Sequence, residues 1–174
     1  RRLRAAILEL NPRPKIITVG PADSVTSSAD VAEAVAHSFA RAGHPVVLLR
    51  HEIDTDQATT GDERGLAHAL FYERLNVREL LRPSAEPLLS VLVEGGFTAE
   101  SREFLTADRL RLALKPLTDE GHIVVIEAPA ADNTDRDAYL GAADLDVLVL
   151  IAAQTRRRDS ERMVRVAASH TGKY

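Results

Sequence analysis

The most constraining feature of this 174-residue chain is a set of short, continuous apolar runs, of which Ile123-Val124-Val125-Ile126 is the clearest, separated by stretches of helical periodicity. A strand with one wet face alternates polar and apolar residues. A strand buried on both faces reads as an unbroken run of Val, Ile and Leu. Runs at 15–19, 45–49, 88–93, 123–126 and 147–152 therefore predict strands of a sheet covered on both sides. Helices are expected at 3–10, 29–42, 64–72, 77–81, 107–115 and 159–168. The order strand, helix, strand implies βαβ units, and so an α/β fold: a three-layer, doubly wound, mostly parallel, Rossmann-like sheet.

The length suits one domain, taken as 1–174, with a core of ordinary size. Lys and Arg number 22 against 26 Asp and Glu, a formal charge of −4, which supplies no electrostatic case for nucleic acid. The chain has no cysteine, which removes disulfides and thiolate metal sites and fits a reducing compartment. No apolar run reaches the roughly 18–20 residues of a membrane span. The six histidines show no zinc-helix spacing, and Asp132, Asn133, Asp135 and Asp137 lack the glycine and terminal glutamate of a calcium loop. No metal site is expected, and the acidic cluster reads as a solvated loop.

In helix 29–42, Val31, Val35 and Phe39 share a face with Ala32 and Ala36, Ser27 or Ser28 is placed to cap the start, and Gly43 ends it. Before this helix, Lys15-Ile16-Ile17-Thr18-Val19-Gly20-Pro21-Ala22-Asp23-Ser24-Val25-Thr26-Ser27-Ser28-Ala29-Asp30 stands where a nucleotide-binding fold carries its phosphate loop. Such a loop needs glycines that let backbone N–H groups close around phosphate, a lysine for the β- and γ-phosphates, and a hydroxyl for magnesium. Ser27, Ser28, Ala29 and Asp30 are the candidate remnant of that site. A bare helix N-terminus still attracts anions, but Asp30 competes for the same donors, so ordinary capping is the simpler reading.

The order and spacing of these segments resemble the cytoplasmic domain of bacterial polysaccharide co-polymerases and the related bacterial tyrosine kinases, a branch of the deviant Walker ATPases. Arg1-Arg2-Leu3-Arg4 is similar to the family's opening Arg-x-x-Arg helix. Set on the family loop Val-Thr-Ser-x-x-Pro-Gly-Glu-Gly-Lys-Ser-Thr without a gap, Val25 and Ser27 meet the glycines, Ser28 the lysine and Ala29 the magnesium-binding hydroxyl. The second motif, Val-Leu-Leu-Ile-Asp-Ala-Asp, matches Val46-Val47-Leu48-Leu49-Arg50-His51-Glu52, and the third, Val-Ile-Ile-Asp-x-Pro-Pro, matches Val124-Val125-Ile126-Glu127-Ala128-Pro129-Ala130. Gly65-Leu66, the strand ending Glu94-Gly95-Gly96, and Val147-Leu148-Val149-Leu150 with Thr155 follow the family order as well.

The resemblance implies a P-loop NTPase-like fold and a catalytically inactive relative, a pseudo-ATPase or pseudokinase domain that regulates assembly, chain length or export of a surface polysaccharide through protein contacts. It implies no cofactor, self-association through the N-terminal helix by way of Arg1 and Arg4, and partners among other polysaccharide assembly proteins. The expected location is the cytoplasmic side of the bacterial inner membrane, with any anchor in segments outside this chain. The polar stretch 169–173 follows the last helix without a closing strand, so the expectation is a domain taken from a longer membrane-anchored protein. The alternative is a nonstandard ATPase or tyrosine kinase that binds ATP with magnesium weakly and uses Glu52 and Glu127 as its remaining acids. A second alternative is a partition-type partner-binding protein. Tyr72, Tyr139 and Tyr174 form no terminal cluster of the sort the related kinases modify, and Arg156-Arg157-Arg158 reads as a solvated face with Asp159 as a helix cap.

Overall fold

Alternation of side chains along each strand decides how this molecule is layered. In β2 (Val46–Arg50), Val46 and Leu48 belong to one apolar cluster while Val47 and Leu49 belong to another. The four are 2% exposed or less, so both faces of the strand are covered. This is the physical origin of the unbroken apolar run. The computed structural model describes residues 2–24, 27–51, 64–71, 76–152 and 155–171, the side chains of residues 167, 170 and 171 excepted.

The other strands are β1 (Ile16–Pro21), β3 (Arg82–Pro83), β4 (Leu89–Val93), β5 (Ile123–Glu127) and β6 (Leu145–Val149). They form one sheet in the order β3-β4-β2-β5-β1-β6, parallel throughout except for β3 on β4. The helices are α1 (Arg2–Leu8), α2 (Ala29–Ala40), α3 (Leu66–Phe71), α4 (Ala99–Arg102), α5 (Ala107–Asp119), α6 (Arg136–Ala142) and α7 (Arg157–Thr171), with a 3-10 turn at Val77–Leu80. Ile17, Val19, Leu48 and Val125 pack with Phe39 and Ala36 of α2 and Ile7 of α1. On the opposite face, Leu49, Leu92, Val124 and Ile126 pack with Leu66 of α3 and Leu110, Leu114 and Leu117 of α5. Each fully buried Leu or Ile contributes about 1.5–3 kcal/mol, so the two clusters together are the main stabilising term.

Local signals set the helix limits. Gly43, at φ 88, takes the left-handed conformation that ends α2, and its N–H donates to the Ala40 carbonyl at 2.9 Å. Thr106 accepts from Arg109 N and starts α5, which runs past Pro116 because Leu117 and Thr118 are buried against the sheet.

Three expectations need correction. β6 spans Leu145–Val149 rather than 147–152, because its pairing with β1 begins at Ile17↔Leu145 and ends at Pro21↔Val149; Leu150 and Ile151 beyond it are 55% and 39% exposed. Of the acidic cluster read as a solvated loop, Asp132, Asn133 and Asp135 precede α6 but Asp137 lies in its first turn, and that helix places Arg136, Tyr139 and Leu140 inside. Asp159 lies within the first turn of α7 instead of capping it. No helix among the described residues is long and apolar enough to cross a membrane.

Candidate functional site

Because neighbouring strands are parallel, the carboxyl ends of β1, β2, β4 and β5 lie along one edge of the sheet, where open α/β folds bind ligands. Residues 22–24 and 27–28 stand between β1 and α2, where the family resemblance sets a phosphate loop. Ser28, which the resemblance sets on the family's lysine, is only 4% exposed, and its hydroxyl donates back to the Val19 carbonyl at 3.2 Å. That carbonyl also accepts from Ala128 N at 2.9 Å, so one acceptor ties together β1, the start of α2 and the segment after β5. Ser28 makes no side-chain cap; Ser27 Oγ accepts from Ala29 N at a long 3.4 Å. Ala29 carries no oxygen, and Asp30 follows it in the first turn of α2.

At the end of β2, Arg50 donates to Glu33 of α2, Nη2 to Oε2 at 2.9 Å. Glu52 lies outside the described residues, as does Arg1. Glu127 ends β5 opposite Val19, half-buried. Arg4 donates to the Ser38 carbonyl at 2.6 Å and to the Ser38 hydroxyl at 3.3 Å, anchoring α1 on α2. Asp135 of the acidic cluster pairs with Arg102 at 2.5 Å. Among the described residues no group of His, Asp and Glu is disposed to hold a metal ion.

Sequence reasoning missed a buried polar cluster at the same edge. The carboxylate of Glu94, just past β4, accepts from the Tyr139 hydroxyl of α6 through one oxygen and meets His51 Nδ1 at 2.9 Å through the other. Tyr139 is 1% exposed, and burial together with the adjacent Glu94 pushes its hydroxyl well above the usual tyrosine range. The available signal was an acid set directly after an apolar strand, at Leu92-Val93-Glu94. A second missed element is Arg136, 2% exposed, whose Nη1 donates to the Pro129 carbonyl at 2.5 Å beneath the end of β1. Burial pulls its guanidinium below the usual arginine range, while the charges of Asp146 and Asp137 oppose that shift.

No protein-family model matches the sequence, and no curated protein matches it. Solved structures do match in shape. The kinase domain of the Escherichia coli tyrosine kinase ETK superposes with a TM-score of 0.81 at 15% identity, covering 98% of this chain and 68% of that one. This chain has the fold of the bacterial tyrosine kinase domains. The kinase domain of VpsO has that fold too, with a TM-score of 0.76 at 15% identity over 96% of this chain and 85% of its own. The Pyrococcus furiosus cell-division ATPase MinD is more distant, at 0.69 and 15% over 89% and 67%. The strand order agrees with that fold, and the P-loop NTPase-like architecture that the resemblance implies holds.

Proposed function

We propose that this chain is a catalytically inactive cytoplasmic domain that regulates the assembly, chain length or export of a surface polysaccharide through protein contacts. The observation that carries the reading is Ser28: the residue at the lysine position has its hydroxyl turned inward onto the Val19 carbonyl rather than outward toward a phosphate. The other donors do not fit a magnesium nucleotide either. Ala29 offers no oxygen to the metal, Asp30 adds negative charge to the turn where phosphate would sit, and Arg50 occupies an acidic position while paired with Glu33. The link to polysaccharide rests on family resemblance and on a shared fold, and fold alone does not fix function.

Protein contacts then carry the activity. Arg4 is engaged by Ser38, so the N-terminal helix offers its remaining outer surface, with Leu3 43% exposed and Leu10 just beyond it 45% exposed, to a second copy or to another polysaccharide assembly protein.

The alternative reading, a nonstandard ATPase or tyrosine kinase, is favoured by the kinase-domain neighbours themselves. Calorimetric titration with ATP and ADP, with and without magnesium, separates the two at a sensitivity of about 100 μM, or about −5.5 kcal/mol. Absence of heat is the expected result. Saturable, magnesium-dependent binding overturns the inactive reading and makes Glu52 and Glu127 the first residues to substitute.

A further inference from the structure

A cavity of about 640 Å³ opens beside the first half of the β1–α2 connection, walled by Asp23, Asp132 and the start of α7, and floored by Ala22 and Met163. Its volume lies in the range of small-molecule sites, and Ala22 and Met163 are 1% and 3% exposed, so the floor is dry and apolar. Three arginines, Arg156, Arg158 and Arg162, line it.

The charges on its wall are unequally satisfied. Asp23 accepts from the Thr155 hydroxyl at 2.7 Å, and Arg158 has Asp159 at 3.7 Å. Arg156, Arg162 and Asp132 make no side-chain hydrogen bond or ion pair among the described residues. Arg158 and Arg162 stand one turn apart on α7, where like charges repel, and the positive end of this 15-residue helix faces the same space. A bound dianion relieves that repulsion, and guanidinium forks match phosphate oxygens. The unpaired Asp132 carboxylate repels a second phosphate but accepts hydrogen bonds from hydroxyl groups.

We propose that this cavity binds a small phosphate ester whose organic part carries hydroxyl groups, with Arg156 and Arg162 gripping the phosphate and Asp132 holding the hydroxyls. The ligand is held by side chains of α7 and the β5–α6 connection beside Ala22, Asp23 and Ser24, so the site borders the phosphate-loop position but does not use residues 27–30. Sugar phosphates and nucleoside monophosphates share this chemistry.

Titration calorimetry of the whole chain at low ionic strength, without magnesium, uses glucose 1-phosphate, AMP, pyrophosphate and glucose as probes. At least one ester saturates, which identifies the source, and glucose gives no heat. The double substitution Arg156→Ala, Arg162→Ala weakens the ester by about tenfold or more. Asp132→Asn weakens the ester but leaves pyrophosphate unchanged or tighter. Both arginines are exposed, so the variants keep the parent melting curve; Arg162→Gln supplies a milder change with the same expected direction. The proposal is overturned if neither ester saturates by about 10 mM, or if affinity ignores the arginine substitutions. Magnesium-dependent ATP binding that ignores those arginines counts instead against the inactive loop, which keeps the two readings separable.

Discussion

The guanidinium of Arg136 lies where a side chain on Gly20 would begin: a Cβ built on Gly20 stands 2.8 Å from Arg136 Nη2 and 2.9 Å from the Ala128 Cβ. Arg136 is thereby wedged between the end of β1 and the segment following β5, under the connection to α2. Its Nε and Nη2 find no hydrogen-bond partner among the described residues, so the neighbouring charges of Asp146 and Asp137 supply its compensation.

Gly20→Ala is accordingly expected to destabilise the domain by about 1–3 kcal/mol, the usual cost of overpacking a closed site. Urea denaturation followed by circular dichroism measures it. A loss below about 0.5 kcal/mol shows that the guanidinium simply moves aside.

Gly65→Ala is expected to cost more than Gly20→Ala. Its Cβ would meet the Val93 carbonyl oxygen at 2.5 Å and Gly95 N at 2.6 Å, main-chain atoms at the end of β4 and just past it. Side chains swing away, whereas a strand does not. The same denaturation experiment ranks the two, and the reverse order refutes the argument.

Tyr139→Phe leaves Glu94 with one partner fewer in a buried site and is expected to cost about 1–3 kcal/mol near neutral pH. Its signature is the pH dependence. The folded-state value of Tyr139 is raised above the ordinary 10.0, so its contribution is complete below pH 10.0 and declines as the unfolded tyrosine ionises above it. Wild type should therefore lose roughly 1.4 kcal/mol per pH unit more than Tyr139→Phe once pH exceeds about 10. Parallel slopes for the two proteins between about pH 9 and pH 11 are the contrary result.

Arg50→Ala should change stability by about 1 kcal/mol or less, because the Arg50 and Glu33 side chains are 30% and 43% exposed and water screens the pair. A double-mutant cycle with Glu33→Ala isolates the coupling. A coupling well above about 1 kcal/mol means that the pair is shielded by something the described residues do not include.

Strand positions were legible in the chain because burial on both faces forces a composition that no other element needs. The runs containing Val46–Leu49 and Ile123–Ile126 fall inside observed strands. α6 was not legible: its inner face carries Arg136 and Tyr139 among acidic neighbours, and an apolar count along that stretch finds no helical period. The two-residue β3 was missed for a similar reason, since Arg82 and Pro83 are both exposed and carry no burial pattern.

The candidate site divides in the same way. The changed residues at the phosphate loop are a matter of residue identity, so the family resemblance, read on the chain, sets Ser28 on the lysine and Ala29 on the magnesium-binding hydroxyl. What those residues do instead is a matter of partners distant in sequence. Ser28 bonding to Val19, Arg50 to Glu33 and Arg4 to Ser38 each depend on how helices seat on the sheet. The meeting of His51, Glu94 and Tyr139 depends on strand order, which brings β2 beside β4 and α6 over their ends. Composition determines which segments must be buried, because transfer from water is a property of each side chain; only the tertiary structure decides which polar groups meet, because hydrogen bonds and ion pairs act over a few ångströms between residues that the chain itself holds far apart.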